Sequence, residues 1–430
     1  MDIKGKKLLI LGANPETVPL VEFANDMGVY TIVTSFRSED AAKKVACKSC
    51  EVDAADVDGL VKLANEEKID GVLVGVADLL IPSYVKVCNA LNLPCYATQS
   101  IVDVFSYKDR LKEAFEKYGI HGVPEYHLDE KMDPKDIEKI KYPVMVKPVD
   151  SCSGMGMTVC YSESELYPAA RKALAASKQK RFIVERYMVG CGDVSIYYTF
   201  KDGFCSLSAI LNRHTTDEQP GLSRVVLLTT YPSIHTDRYF ERMHENACKL
   251  FTDIGISDGV LMLQAFVENG EFYIYDPGFR LTGEAVQLHM KAINGFDQRE
   301  MLIRFALTGS GGDLDLKSVD DPYFKGKKAA TLWLLAKKGK IEKITGLENV
   351  ADDQRVAYLV QRFYDGDEIK DDFIGTEKQV VARLYIICDS KQELSEALKH
   401  YTDTIKVIDT DGNNMLLKGF DVDKALESVI

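Results

Sequence analysis

A lysine set in an apolar strand, followed by a loop containing glycines, is one way to hold a polyphosphate. The segment from 142 to 159 reads Tyr-Pro-Val-Met-Val-Lys-Pro-Val-Asp-Ser-Cys-Ser-Gly-Met-Gly-Met-Thr-Val. Val144, Met145 and Val146 are the apolar run of a short strand, Lys147 continues it, and Pro148 interrupts the pattern. Asp150 to Gly156 form a loop containing Ser151, Ser153, Gly154, Met155 and Gly156, and Met157 to Cys160 begin a return strand. Successive N–H groups in a turn make an anion-binding concavity. The Lys147 ammonium adds a full charge, worth about 4 kcal/mol against a phosphate at ~4 Å and an effective dielectric of ~20, before desolvation is subtracted. Alone, the segment also reads as a hairpin with an exposed lysine.

Other groups are candidates for the same chemistry. Ser106-Tyr107-Lys108-Asp109 matches a helix capping box, and Leu111, Ala114, Phe115 and Tyr118 continue as one helical stripe. Lys108 then lies in a first turn, where the helix dipole disfavours a cation by a few tenths of a kcal/mol, roughly. A lysine there suits a bound anion or is a solvated surface group. A strand ending at Glu185 is followed by Arg186-Tyr187-Met188 and then Gly190-Cys191-Gly192-Asp193. Gly259 to Val267 is a strand, Glu268-Asn269-Gly270-Glu271 a hairpin turn, and Phe272 to Asp276 the return strand, running on to Arg280 and Glu284. A strict two-residue turn pairs Gln264 with Tyr275 and puts Asp276 on the opposite face. A three-residue loop pairs Gln264 with Ile274 and puts Asp276 on the same face. Asn212 to Gly221, with Arg213 and His214, reads as a polar loop, either solvated or a substrate lid.

The elements around these groups come in three blocks. Residues 1–100 alternate strand and helix, with strands at Lys7 to Leu11, Tyr30 to Thr34 and Gly71 to Val74, which predicts a parallel sheet covered on both faces. Residues 101–325 hold the helix carrying Lys108, short strands over 142–211, and the hairpin. Residues 326–430 read as a small α/β unit without chemistry. The first turn lacks Gly-x-Gly-x-x-Gly, and the chain has no Gly-x-x-x-x-Gly-Lys-[Ser/Thr] and no Gly-x-Ser-x-Gly.

Composition narrows the function. The 430 residues are 46% hydrophobic and 28% charged, ordinary for a globular protein. A net charge of −13, with no long Lys/Arg run, argues against a nucleic-acid partner. No uncharged apolar stretch approaches membrane-spanning length, and Leu8 to Leu11 is too short for a signal core. Ten scattered cysteines read as reduced cytoplasmic thiols, and Cys47-x-x-Cys50 lacks a second pair with zinc-like spacing. His235, His244 and His289 show no metal-ligand spacing.

Laid in this order, the features resemble the ATP-grasp superfamily in its carboxylate–amine ligase branch, which includes carbamoyl-phosphate synthase-, biotin carboxylase- and amino-acid ligase-like enzymes. The resemblance implies an α/β protein, α+β in the centre. It would have an N-terminal Rossmann-like parallel sheet (1–100), a central two-lobed ATP-grasp unit (101–325, with the lid lobe in 142–211) and a small C-terminal α/β domain (326–430). It implies that Lys108 and Lys147 hold ATP phosphates and that Ser151 to Gly156 is the lid. Glu185-Arg186-Tyr187-Met188 would be the adenine linker, read by backbone groups of Arg186 and Met188, and Asp193 would contact the ribose. The family's metal pattern is a Glu followed twelve positions on by Glu-x-Asn-x-Arg. Gln264, Asp276, Gly278 and Arg280 stand at those positions, leaving Gln264 and Asp276 as ligands for Mg2+ or Mn2+.

The implied reaction is phosphorylation of a substrate carboxylate by ATP and displacement of phosphate by an amine. Arg280, with Lys147, would be catalytic, Arg280 holding the carboxylate or acyl phosphate unless it is a structural ion pair. Glu284 would bind or deprotonate the amine unless it is a plain helix-start acid. Alternatives are a carbamoyl-phosphate-synthase-like or carboxylase-like enzyme and a non-catalytic ATP-binding protein. A homodimer without membrane partners is the family expectation.

Overall fold

A computed structural model describes residues 2–150, 156–217, 224–417 and 419–430, with all their side chains except those of Lys108 and Asp109. Ser151, Ser153, Gly154 and Met155 of the expected lid lie outside the described residues.

Four strands, β1 (Lys7–Leu11), β2 (Tyr30–Thr34), β3 (Lys48–Cys50) and β4 (Gly71–Val74), form a parallel sheet in the order β3-β2-β1-β4. Leu8 to Leu11, Ile32, Val33 and Val72 to Val74 are buried. Such uniformly apolar strands require cover on both faces. Helices Val18–Asp26, Val57–Glu67 and Ile81–Leu91 bring apolar faces to the same core. A helix from far along the chain, Gln298–Thr308, packs on this sheet too. A Cβ on Gly71 would lie 2.2 Å from the Ala306 carbonyl oxygen, so only glycine fits this approach. The strand order reverses between β1 and β4. The loops at their carboxyl ends, holding Glu16 and Asp78, flank the crevice where open α/β sheets bind ligands.

The expected capping box is corrected. Ser106 ends a helix, Gln99–Ser106, that is capped by the Thr98 side chain and anchored by buried Ile101 and Val102. The chain extends at Tyr107, which offers no side-chain cap, and the next helix is Lys108–Lys117. Lys108 is its first residue and so lies in the first turn, the position expected of it, though in a helix that starts after Tyr107. Apolar residues ahead of Ser106 had a core to join, and that burial outweighs a local cap.

The lid lobe is a four-stranded antiparallel sheet of β5 (Glu125–Tyr126), β6 (Val144–Pro148), β7 (Thr158–Cys160) and β8 (Phe182–Arg186) in the order β5-β8-β6-β7. Helix Glu163–Ala176 packs on it through Leu166, Ala169, Ala170 and Ala173.

The largest sheet has eight strands. β9 (Gly192–Lys201), β10 (Phe204–Thr215), β11 (Val226–Tyr231), β12 (Gly259–Glu268) and β13 (Glu271–Gly278) come from the central block. β14 (Lys328–Leu335), β16 (Val356–Gln361) and β18 (Val380–Cys388) come from beyond residue 326. The order is β13-β12-β9-β10-β11-β14-β18-β16, so one continuous sheet crosses position 326. The remaining strands, β15 (Gly339–Thr345), β17 (Glu368–Ile369) and β19 (Lys406–Asp409), form a small separate sheet. The polar stretch from Asn212 begins as strand, not loop: Asn212 pairs with Thr230 and Arg213 with Thr229. Its polar side chains find partners on neighbouring strands, which a reading of polarity alone does not anticipate.

Candidate functional site

Lys147 lies in β6 with its side chain 7% exposed, and its ammonium is 2.5 Å from a Glu185 carboxylate oxygen. The antiparallel register puts Met145 opposite Glu185, so Lys147 is two positions along on the same face. The other Glu185 oxygen accepts from Lys112 at 2.7 Å, and Lys112 also reaches Glu125 at 2.5 Å. Burial alone would raise the Glu185 carboxyl pKa. The ammoniums of Lys147 and then Lys112 outweigh it and hold the group below its ordinary value. Lys112 was missed from the sequence. The available signal was its spacing of one helical turn from Lys108.

The linker after β8 is partly engaged. The Arg186 N–H donates to the Pro124 carbonyl at 2.8 Å and the Tyr187 N–H to Pro143 at 3.1 Å. The Arg186 N–H is therefore not available to an adenine. Its guanidinium forms a bidentate pair with Glu268 at 2.8 and 2.6 Å, tying the linker to the β12 end of the hairpin. Met188 is buried.

Three strands of the large sheet, β9, β10 and β13, with the segment after β13, bring a charged network to one face. Arg213 of β10 donates to both oxygens of Asp193 at 3.3 and 3.2 Å, to the Tyr275 hydroxyl at 2.6 Å and to Glu284 at 3.0 Å. Tyr275 donates to Asp193 at 3.0 Å, and Tyr197 donates to Glu284. Burial raises the Asp193 carboxyl pKa, with Arg213 opposing it. A ribose contact at Asp193 shares its oxygens with Arg213 and Tyr275. Glu284 is 6% exposed, so it is not a solvated helix-start acid.

The hairpin combines features of both expected registers. Asn269 and Gly270 both have positive φ, 53° and 78°, and Glu268 pairs with Glu271, a two-residue turn. Pairing runs on to Ala265 with Ile274, and then shifts so that Gln264 faces Asp276. Tyr275 is the extra residue of a β-bulge. It stacks on Phe266 at 4.5 Å between ring centroids and reaches Asp193 and Arg213.

Asp276 is exposed and Gln264 half-buried. Among the described residues no group of three or more His, Cys, Asp or Glu side chains is placed to hold a metal ion. One carboxylate and one amide oxygen do not make a protein cage. They do fit a magnesium ion that arrives on a nucleotide, because magnesium keeps several waters and takes one or two carboxylates beside phosphates. At Gly278, a Cβ would lie 3.3 Å from both Asp78 Oδ1 and Met262 Cε, so a longer side chain there meets neighbours.

Arg280 ion-pairs with Asp78 of the β4 loop and donates to the Leu281 carbonyl at 2.8 Å. Its Nε is buried without a partner. The histidines stay outside this chemistry. Burial pushes His214 and His289 down to about 4, which keeps both neutral.

Residues 107–310 match the family described as the carbamoyl-phosphate synthase L chain, ATP binding domain. The carbamoyl phosphate synthase large chain of Clostridium beijerinckii is 23% identical over 297 residues, covering 63% of this chain and 26% of that protein. The chain thus spans about a quarter of the length of that relative. In fold it is similar to phosphoribosylglycinamide synthetase from Anaerococcus prevotii, with a TM-score of 0.76 at 18% identity, covering 95% of this chain and 100% of the other. L-amino acid ligase from Bacillus licheniformis gives a TM-score of 0.75 at 19% identity, with 95% and 99% covered. No helix among the described residues is long and apolar enough to cross a membrane.

Proposed function

We propose that this chain, whose residues 107–310 match the carbamoyl-phosphate synthase L chain ATP binding domain, is an ATP-dependent carbon–nitrogen ligase of the ATP-grasp superfamily. A substrate carboxylate oxygen attacks the γ-phosphorus of ATP, ADP leaves, and an acyl phosphate forms. An amine then attacks the acyl carbon, phosphate leaves with the electron pair, and the amine gives up a proton.

Catalysis of this kind is mostly positioning and charge neutralisation. Lys147 and Lys112 bring cations toward the phosphates, the role that the resemblance also assigns to Lys108 and to a lid at Ser151 to Gly156. Glu185 holds Lys147 and Lys112 in place before nucleotide arrives. The linker to Met188 takes the adenine and Asp193 the ribose. Magnesium supplies charge neutralisation on the phosphates when bound, and Asp276 with Gln264 would hold it. Arg280 orients the carboxylate or acyl phosphate with its planar donors. Glu284, held between Tyr197 and Arg213, orients the amine. The reading also takes the cytoplasm as the setting, supported by the nine described cysteines all being free thiols, and a homodimer as the assembly.

The observation that carries the proposal is the bulge at Tyr275. It turns Asp276 onto the face of Gln264, and the chain runs on past the end of β13 at Gly278 to Arg280. A hydroxylamine trap tests it: protein, Mg-ATP, hydroxylamine and pools of carboxylic acids, with phosphate and hydroxamate measured. Hydroxamate from one pool, absent in Lys147→Ala, supports acyl-phosphate chemistry. A bicarbonate-dependent ATPase without hydroxamate points to the carboxylase-like alternative. The single carboxylate of the metal pair favours, as second reading, a protein that binds ATP without turning it over. That reading expects no phosphate with any acid although ATP binding is measurable.

A further inference from the structure

On the face of the large sheet opposite the Arg213 network, two cysteines, a histidine and two tyrosines meet. Alternation along β9 sends Tyr197 to Glu284 and Tyr198 to the other side, where its hydroxyl donates to Tyr239 at 2.9 Å. Cys205 of β10 pairs with Phe200, so its side chain shares the face of Tyr198. Cys248 comes from the helix Glu245–Asp253, which packs on β10. The Cys205 and Cys248 thiols are hydrogen-bonded to each other. Both are half-buried against the same apolar core. The chain before that helix is locally rewound: Phe240–His244 forms a π-helical turn between the helices Thr236–Tyr239 and Glu245–Asp253. Such turns are rare and recur at functional sites. This one brings His244 onto Tyr198, stacked parallel at 5.8 Å between ring centroids. His244 Nδ1 is 3.2 Å from the Tyr198 hydroxyl, and its Nε2 is 3.8 Å from Cys248 Sγ, one helical turn on.

A metal centre does not account for the cluster, because among the described residues no group of three or more His, Cys, Asp or Glu side chains is placed to hold an ion. Nor does inert packing. A structural thiol is closed off from solvent, and apolar burial keeps it protonated. Here the Cys205 hydrogen bond, opposed by burial and assisted by His244, brings the Cys248 thiol down to about 6, while the same bond moves Cys205 up. A partly exposed thiolate beside a second thiol that can resolve it is the arrangement of a redox-sensitive cysteine. Cys88 and Cys95 provide a comparison within the chain. Their thiols are hydrogen-bonded too, but Cys88 is fully buried, and Cys95 donates to the Ala97 carbonyl at 3.1 Å.

We propose that Cys205 and Cys248 are a peroxide-responsive dithiol that closes reversibly to a disulfide. The Cys248 thiolate attacks one oxygen of hydrogen peroxide. The O–O bond breaks, a sulfenic acid forms on Cys248, and the departing hydroxide takes up the proton that the thiol had released and leaves as water. The Cys205 sulfur then attacks the sulfenic sulfur. The S–O bond breaks, the hydroxyl leaves with the Cys205 proton as a second water, and the S–S bond closes. Two thiols lose two electrons and two protons, and one peroxide is reduced to two waters. Peroxide is small enough to reach sulfur that is half-buried. The bond closes residues 205–248, Arg213 and β11 among them, into one loop and ties the helix to the sheet. The proposal does not rest on the ligase reading.

The test treats the reduced full chain, freed of reductant, with a small excess of hydrogen peroxide. Free thiols are counted after denaturation, and peptides are mapped by mass spectrometry without reduction. The expected result is a thiol count that falls by two from ten, with a peptide cross-linked between Cys205 and Cys248. Dithiothreitol restores the count and removes the cross-link. Cys205→Ser takes away the resolving thiol, so dimedone labels a sulfenic acid at Cys248, at about tenfold or more over any other cysteine. Cys248→Ser gives no cross-link to Cys205 and loses thiols about tenfold more slowly. A count that stays at ten in the unmutated chain overturns the proposal. So does thiol loss with the cross-link mapped to Cys88 and Cys95 and none between Cys205 and Cys248, or dimedone label in Cys205→Ser at cysteines other than Cys248. The map of the unmutated chain decides the question even where a serine variant fails to fold.

Discussion

Gln264 faces Asp276 across a hairpin whose two-residue turn, left regular, would have put Tyr275 there instead. The bulge does two things with one extra residue. It rotates Asp276 onto the face of Gln264, and it sends the Tyr275 hydroxyl to Asp193 and Arg213. The site then has one carboxylate beside a neutral amide. Gln264→Glu restores a second charge opposite Asp276 at nearly constant volume. It is expected to tighten magnesium binding in the presence of an ATP analogue by about tenfold, well below the ~4 kcal/mol of gross attraction, since water and like-charge repulsion oppose it. A magnesium titration followed by calorimetry checks this. An unchanged midpoint would mean that these residues do not share an ion.

Glu185 is held between Lys147 and Lys112 in a nearly buried setting. Removing its charge leaves two ammoniums facing each other without a counterion. Glu185→Gln is expected to lower unfolding stability by about 3–5 kcal/mol, the usual cost of stranding a buried charge. Lys147→Ala costs less because Lys112 still pairs with Glu185. In a double-mutant cycle the two changes should fall short of additivity by more than about 1 kcal/mol. Urea midpoints of the four proteins decide it. Additive losses would show that Lys147 and Glu185 are independent.

Much of this site was readable in the chain. Lys147 stands out because an apolar strand rarely admits a lysine without use for it, and the strands on either side of it came out nearly as read. The pairing of Gln264 in the hairpin was readable as two registers but not resolvable, because a bulge in mid-strand leaves no mark as specific as Asn-Gly does for the turn. Lys112 and Glu268 were invisible for another reason. Their roles come from pairing with Glu185 and Arg186, more than seventy positions away in each case. Arg213 was misplaced because a run of polar residues reads as loop, whereas here it is a strand whose polar side chains meet across a sheet. The capping box failed for a related reason: local spacing is satisfied at Ser106, but burial of Ile101 and Val102 decides which helix forms. The same applies to residues 326–430. Two stretches there, Ala329 to Ala336 and Val380 to Cys388, were legible as strands, but β16 was not, and that β14, β18 and β16 extend the central sheet is a matter of pairing between distant strands.

Arg213 is the hub between Asp193, Tyr275 and Glu284. Arg213→Met keeps most of the side-chain volume and strands two carboxylates beside each other. The expected loss is about 3–5 kcal/mol of stability, together with weaker ATP-analogue binding through Asp193. Arg213→Lys is expected to recover stability only in part, since a point charge cannot serve three acceptors in the plane of a guanidinium. Thermal unfolding with calorimetric titration separates the two effects. Full recovery by lysine would mean that charge alone matters at this position.

Asp320 gives a pH dependence of the fold apart from the site. It follows the helix Leu316–Val319 and accepts from Ser208 of β10 at 2.7 Å, while its other oxygen is buried without a partner. Burial pushes its carboxyl up to about 7, with the Ser208 hydrogen bond opposing the rise. The folded pKa therefore lies above the unfolded one. Between about pH 4 and 7 the folded state keeps a proton that the unfolded chain has lost. This contribution to stability is full below the unfolded pKa, declines as pH rises through the window, and is flat above it. Asp320→Asn removes the charge that must be desolvated. At about pH 8 the variant is expected to be more stable than the parent by one to a few kcal/mol, roughly 1.4 kcal/mol for each tenfold difference in proton affinity between the folded and unfolded carboxyl. Below about pH 4 the two should be equal in stability. Thermal midpoints of both proteins across this range provide the check, and a difference that does not change with pH would show that Asp320 is ionised in the folded protein throughout.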